Sequence, residues 1–291
     1  MREELISPYA VTSAQFVKYD ALLKDKEYLN NIDKKGTEKQ IIEILYKYGV
    51  LTKMCIKKAL LLAKCNVKRD ISNTLKRMQQ DGALITYERR ENRHVTVLYA
   101  LSMFIREEIE NSDKNRQRLK LEKTMPDMLM RASLNQWHIG ILQAYQGKIS
   151  EERYYSKKRW QYKSGFFLSY IKIKSGQDNM TLLGLPFAKT KESIKRTILY
   201  LAKMTTCIET SASLKNLVVV MVESLQQMES AYKMIISIRE FSLIEPFFAL
   251  DVNTKSENTI CWLYACEIDR GAFHYDTYHL DDILESHLRT K

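Results

Sequence analysis

Glycine and proline are scarce in this chain, 9 and 4 among 291 residues. Loops that cradle phosphates need glycines, because backbone N–H groups must approach the ligand closely. No phosphate-loop, dinucleotide-binding or Gly-x-Ser-x-Gly pattern occurs, and no His-Glu-x-x-His. Cysteine is also sparse. Cys55, Cys65, Cys207, Cys261 and Cys266 are odd in number and lack close pairs, which excludes a disulfide framework and fits reduced thiols in a cytoplasm. Cys55 and Cys65 read as small apolar residues. Cys261 and Cys266 make at most half a zinc site, since no second Cys/His pair of suitable spacing accompanies them. Long apolar runs are missing too. The most apolar, Leu217–Val222, is far short of the roughly 20 residues that span a bilayer. The stretch opening Met1-Arg2-Glu3-Glu4 lacks a signal-peptide core, so secretion is not expected.

Acid is the remaining deficit, and it is local. The chain carries 46 basic and 35 acidic side chains, a formal charge of +11. Residues 1–36 hold 6 of each, and residues 164–291 hold 14 basic and 15 acidic. The excess lies between them, with 13 basic against 6 acidic in residues 37–101 and 13 against 8 in residues 102–163. Such a distribution is the footprint of a polyanion-binding module joined to a neutral domain. An anionic membrane fits less well, because the basic segment offers no exposed apolar wedge for lipid.

Within 37–101 the periodicity predicts three helices and two strands in the order of a winged helix-turn-helix. The first helix runs from Glu38 to Tyr48, with Thr37 as its cap, Ile41, Ile44, Leu45 and Tyr48 on one face, and Gly49 as its stop. The second covers about Lys53–Lys64 and the third about Lys68–Gln80, ending at Asp81-Gly82. Strands Ala83–Glu88 and Val95–Leu101 enclose a loop from Arg89 to His94. In the third helix Val67, Ile71, Leu75 and Met78 form an apolar stripe. Lys68, Arg69, Ser72, Asn73, Lys76 and Arg77 occupy the opposite face. A recognition helix needs such a face: cations for phosphates and guanine edges, Asn for adenine, Ser for close approach. A solvated basic surface would read the same on one helix alone. Helix, loop and charge distribution together point to nucleic acid, with Arg89, Arg90, Arg93 and His94 gripping the flanking backbone or minor groove.

The flanking segments read as follows. Residues 11–32 predict a helix with Phe16, Tyr19, Leu22 and Leu23 on its apolar side. The stretch Phe104–Lys123 predicts a charged helical connector, whose Lys114, Arg116, Arg118, Lys120 and Lys123 suit either a surface helix or a phosphate backbone. A helix from Met125-Pro126 to about Tyr145 follows, with Leu129, Leu134, Ile141 and Leu142. Strands are expected at Phe166–Lys174, Met180–Ala188, Leu217–Val222, Pro246–Val252 and Ile260–Ile268. Helices are expected at Lys191–Met204, capped by Thr190, and at Leu225–Ile238. Alternation of strand and helix implies an α/β layer with a mixed sheet. His274, Asp276, His279, Asp281 and Asp282 read as acidic turns and helix caps rather than as a metal site. Tyr154-Tyr155, beside Lys157, Lys158 and Arg159, reads as structural or phosphate-contacting rather than as a DNA-nicking nucleophile.

Three further stretches carry a resemblance: Leu134-Asn135-Gln136-Trp137-His138, then Leu182–Lys189 with the Lys191–Met204 helix, then Val218-Val219-Val220-Met221-Val222-Glu223-Ser224. In their order and spacing across about residues 37–252, the chain resembles the replication-relaxation family of bacterial plasmids and conjugative elements. The resemblance implies a winged helix followed by a restriction-endonuclease-like core. Such a core carries an Asp on one strand and Glu-x-Lys on the next, to hold a metal and a water. Here Phe166–Lys174 has no carboxylate, and Pro186 and Phe187 stand where the next acid belongs. Lys189 alone offers no oxygen ligand for Mg²⁺.

The expected fold is therefore α+β or α/β: an N-terminal winged helix-turn-helix followed by a three-layer α/β domain with a mixed sheet. The expected divisions are a helical extension at 1–36, the DNA-binding domain at 37–101, a connector at 102–124 and a degenerate nuclease-like domain at 125–291. The expected protein is a cytoplasmic, non-enzymatic double-stranded DNA-binding protein of a bacterial mobile element, acting in replication, conjugative transfer or their control. It needs no cofactor and no metal, and a homodimer and replication or transfer proteins are its other expected partners. Two alternatives stay open: a winged-helix repressor with a dimerising or ligand-binding C-terminal half, and a metal-dependent nuclease or nicking enzyme.

Overall fold

The computed structural model describes residues 15–19, 28, 36–65, 70–91, 94–112, 125–155, 168–175, 178–186, 214–237, 246–255 and 259–289. The fold is mixed α+β with two sheets, and the chain divides into two compact units, residues 9–139 and 140–291.

In the first unit, strand β1 (Gln15–Tyr19) precedes helix α1 (Thr37–Tyr48), strand β2 (Val50–Thr52), helix α2 (Lys53–Leu62), helix α3 (Ser72–Gln80) and the hairpin β3 (Leu84–Glu91) and β4 (His94–Leu101). Helix α4 (Met103–Ser112) and helix α5 (Met125–Ala144) follow, and α5 belongs to this unit up to Ile139. The four strands form an antiparallel sheet in the order β1-β3-β4-β2. Ile41, Ile42, Leu45 and Tyr48 turn α1 inward, while Ile44 is only half-buried. Gly36, in extended conformation, takes the N-cap position expected for Thr37 and makes no side-chain capping bond. Thr52 caps α2, its hydroxyl accepting from the Cys55 N–H at 3.3 Å. Along the apolar stripe of α3, Ile71, Leu75 and Met78 are buried; Val67 lies outside the described residues.

Two further expectations fail in this unit. The predicted helix at 11–32 is a strand at Gln15–Tyr19, paired with β3 from Gln15↔Arg90 to Tyr19↔Thr86. Phe16, Val17 and Tyr19 favour a pleated surface, and the open edge of β3 supplies backbone partners that periodicity cannot reveal. Of the rest of that segment only Tyr28 is described; it is helical, as expected there, and buried. The second failure is the expected loop at 89–94. Pairing continues through Arg89↔Thr96, Arg90↔Val95 and Glu91↔His94, so only Asn92 and Arg93, outside the described residues, connect the strands. Strand alternation then sends Ile85, Tyr87 and Arg89 into the interior and Glu88 and Arg90 to the other face.

In the second unit, β5 (Ile149–Tyr155), β6 (Leu168–Ser175), β7 (Asp178–Pro186), β8 (Leu214–Val222), β9 (Pro246–Leu250), β10 (Trp262–Asp269) and β11 (Ala272–His279) form one seven-stranded mixed sheet in the order β11-β10-β9-β8-β7-β6-β5. The pairs β7–β8 and β8–β9 are parallel and the rest antiparallel. Helix α6 (Leu225–Ile236) links β8 to β9, capped by the Ser224 hydroxyl, which accepts from the Gln227 N–H at 3.1 Å. Met228, Ala231 and Ile235 of α6 pack on Val218, Val220, Val222 and Phe248. Leu217, Val219 and Met221 are buried as well, so β8 is covered on both faces, as its unbroken apolar run predicts. The expected helix at Lys191–Met204 lies outside the described residues. Strands β5 and β11 escaped the sequence reading, as did helix α7 (Leu280–Arg289). Arg270 and Gly271, with φ of 48° and 84°, make a two-residue hairpin turn that converts the expected acidic turn into a strand. Among the described residues, no helix is long and apolar enough to cross a membrane.

Candidate nucleic-acid interface

Helix α3 presents the most distinctive polar surface of the first unit. With Ile71, Leu75 and Met78 turned inward, Asn73, Lys76, Arg77 and Gln80 are exposed. These positions are spaced along one helical face. Arg77 is not a free cation: its Nε donates to Glu38 Oε1 of α1 at 2.8 Å, and its Nη2 closes a second short contact. The pair holds the guanidinium above its ordinary range and ties α3 to α1. Lys68 and Arg69 lie outside the described residues.

The start of α3 is organised by a residue that the sequence did not single out. Lys53, at the first position of α2, donates to Ser72 Oγ at 2.9 Å, and Ser72 donates in turn to Asp70 Oδ1 at 2.7 Å. The Ser72 backbone N–H donates to the same oxygen at 2.9 Å, an Asx-type turn that enters the helix. These two bonds from Ser72 hold the Asp70 carboxyl below its usual range. Ser72 is thus a half-buried organising residue, while the ammonium of Lys53 adds a cation beside the helix start. Only the packing of α2 on α3 brings residues 19 positions apart together.

On the hairpin, Arg90 is exposed and fixed: its Nε donates to Glu88 Oε2 at 2.9 Å and its Nη2 to Tyr19 Oη of β1 at 2.9 Å. Those contacts raise its ordinary range, the Glu88 bond foremost. Arg90 shares a strand face with Thr86, whose hydroxyl accepts from Gln79 Nε2 of α3 at 3.0 Å. Arg90 and α3 therefore lie on the same side of β3. Arg89 corrects the expectation: at 1% exposure it is an interior residue and not a loop cation. Arg93 lies outside the described residues. The backbone of His94 opens β4 opposite Glu91.

The platform beneath is set by the first part of α5. Leu134, Asn135, Trp137 and His138, from the stretch that carried the family resemblance, are all buried. Asn135 Nδ2 donates to the carbonyls of Tyr48 at 3.1 Å and Val50 at 2.7 Å, clamping the turn between α1 and β2. The His138 ring lies 5.8 Å from that of Tyr48. This motif is therefore structural in placement. Residues 114–123, the basic half of the expected connector, lie outside the described residues.

In the second unit, register pairs Val222 with Leu250, which puts Glu223 and Asp251 just beyond neighbouring parallel strand ends. His279 Nδ1 lies 3.4 Å from Asp281, and Tyr145 donates to Asp281 Oδ1 at 3.0 Å. His274 and Asp276 lie on the opposite face of β11 from His279. Among the described residues, no group of three or more His, Cys, Asp or Glu side chains is disposed to hold a metal.

No protein-family model matches the chain, and no curated protein matches it in sequence. Among solved structures it is similar to restriction endonuclease FokI, with a TM-score of 0.30 and 12% identity, over 79% of this chain and 46% of that one. The chain thus spans less than half of that protein, and a likeness this slight carries no functional weight.

Proposed function

We propose that residues 37–101 are a winged helix-turn-helix that binds double-stranded DNA, with α3 as the recognition helix and the β3–β4 hairpin as the wing. The observation that supports this best is the exposed Asn73–Lys76 face of α3 on the same side of β3 as Arg90. Asn73 is suited to an adenine edge and Lys76 to a phosphate or guanine. Arg90, steadied by Glu88 and Tyr19, offers a second phosphate contact whose side chain is already ordered. Arg77, bound to Glu38, serves α3 orientation first.

In this reading the second unit, residues 140–291, forms a three-layer α/β domain, related to a nuclease core but non-enzymatic, that dimerises or recruits replication or transfer proteins. The expected start of that domain at residue 125 moves to 140 because the first part of α5 packs in the first unit. The expected setting is the cytoplasm of a bacterium carrying a plasmid or conjugative element. Genome-wide mapping of bound DNA identifies the sites. With specific and scrambled duplexes, Asn73→Ala should lose about 1–3 kcal/mol at the specific site alone. Lys76→Ala should weaken both duplexes and lower the log–log salt slope by about 0.9. Unchanged binding by both variants refutes α3 as the reading element. Purified protein should leave supercoiled DNA intact with Mg²⁺ or Mn²⁺. Cleavage that vanishes in Glu223→Gln or Asp251→Asn would establish the nuclease alternative instead.

A further inference from the structure

Four strands border the two sheets, and three of them are protected from pairing with other chains. Strand β2 has three residues and β1 has five, including an exposed Lys18. Strand β5 breaks register between Ile149 and Glu151 and carries Glu151, Glu152 and Arg153. Short length, a bulge and charge are the ordinary defences of a sheet edge. Strand β11 has none of the first two. It runs eight residues in unbroken register with β10, without proline or lysine. Its Tyr275 and Tyr278 are 42% and 41% exposed. Among the described residues, no strand pairs with its outer edge.

We propose that β11 pairs antiparallel with β11 of a second copy, about a twofold axis perpendicular to the sheet and centred on Tyr275. Such an axis keeps each face of the sheet on its own side, so only residues of like parity oppose each other. Centring on Asp276 sets two carboxylates together, and centring on His274 leaves only residues 272–276 paired. Centring on Tyr275 pairs residues 272–278 and sets each His274 opposite the second copy's Asp276, twice over by symmetry. It also sets Tyr275 against Tyr275, Phe273 against Thr277 and the small Ala272 against the large Tyr278. Within its own chain His274 is opposite Glu267, whereas Asp276 is opposite Ala265 and meets no cation on β10. The second copy supplies what Asp276 lacks. Aromatic and opposite-charge cross-strand pairs of this kind are the stabilising contacts of antiparallel sheets.

The test uses the full chain and sedimentation velocity over a range of micromolar concentrations, separately from any DNA assay. The wild type should dimerise. His274→Asp, which opposes four acids across the seam, and Asp276→His, which opposes four imidazoles, should each dimerise about tenfold more weakly or worse. An equimolar mixture of the two variants should form a heterodimer, because every opposed pair across its seam is again Asp with His. Tyr275→Lys, which opposes two ammonium groups on the other face without touching Glu267, is an independent disruption if His274→Asp does not fold. A monomeric wild type, a dimer indifferent to all three substitutions, or variants that fold but do not complement each other overturns the proposal.

Discussion

Replacing Gly49 by alanine probes the joint between α1 and the sheet. Gly49 sits at φ 81° and ψ −55°, a conformation that L side chains rarely adopt, and its N–H closes α1 by donating to the Leu45 carbonyl at 2.7 Å. An added Cβ would stand 2.5 Å from Cζ of Arg131, 2.7 Å from Nη1 and 2.8 Å from Nη2. Arg131 is 1% exposed, so its guanidinium has no solvent to swing into. The backbone strain costs about 1–3 kcal/mol. Displacing a buried, charged hydrogen-bonding group costs on the order of another 1–3 kcal/mol. Together these come to about 2–6 kcal/mol, a large fraction of the stability of a small domain, about 5–15 kcal/mol. Urea unfolding followed by the fluorescence of Trp137, fully buried in the same unit, measures the sum. Gly49→Ala in an Arg131→Met background isolates the second component, and the substitution should there cost about 1–3 kcal/mol less. Gly271, at φ 84° with nothing within 4 Å of an added Cβ, is the strain-only control in the other unit. If Gly49→Ala costs no more with Arg131 present than with it replaced, the close approach of the guanidinium is not what requires glycine.

Four other outcomes are expected. Arg89→Ala should destabilise the first unit by about 3 kcal/mol or more, as loss of a buried charged group does. Arg90→Ala should leave stability nearly unchanged and lower the salt slope of DNA binding by about 0.9; the reverse pattern would reject the hairpin register. Burial pushes the Cys55 thiol up to about 11. Its stabilising contribution is complete below the unfolded value of about 8.5 and is lost as pH rises toward the folded value, on the order of 1–3 kcal/mol in all. The stability difference between wild type and Cys55→Ala should shrink over that window, and a pH-independent difference would contradict the burial. Gly140→Ala places a Cβ 1.8 Å from Ile260 Cδ1 and should cost about 1–3 kcal/mol by overpacking. Ile260→Val removes that atom, so the double variant should be more stable than the sum of the single effects, as calorimetry can show.

The local pattern of this chain determined much of its local structure. The stripe Ile71, Leu75 and Met78 announced α3 and assigned Asn73 and Lys76 to its outer face. The unbroken run Leu217–Val222 announced a strand covered on both sides, and Gly49 marked the end of α1. These features depend on neighbours within a turn or two, which sequence periodicity records. What depended on distant partners was illegible. The pairing of β1 with β3 overrode a helical reading of Phe16 and Tyr19, because an open strand edge offers hydrogen bonds that propensity does not weigh. Register along β3 decided the fate of two adjacent arginines, since a shift of one residue exchanges faces: Arg89 went inside and Arg90 out. Lys53 met Ser72, and Arg77 met Glu38, only because helices pack. Composition could locate the positive charge along the chain, but tertiary structure decided which cations were already bound within the protein and which faced solvent.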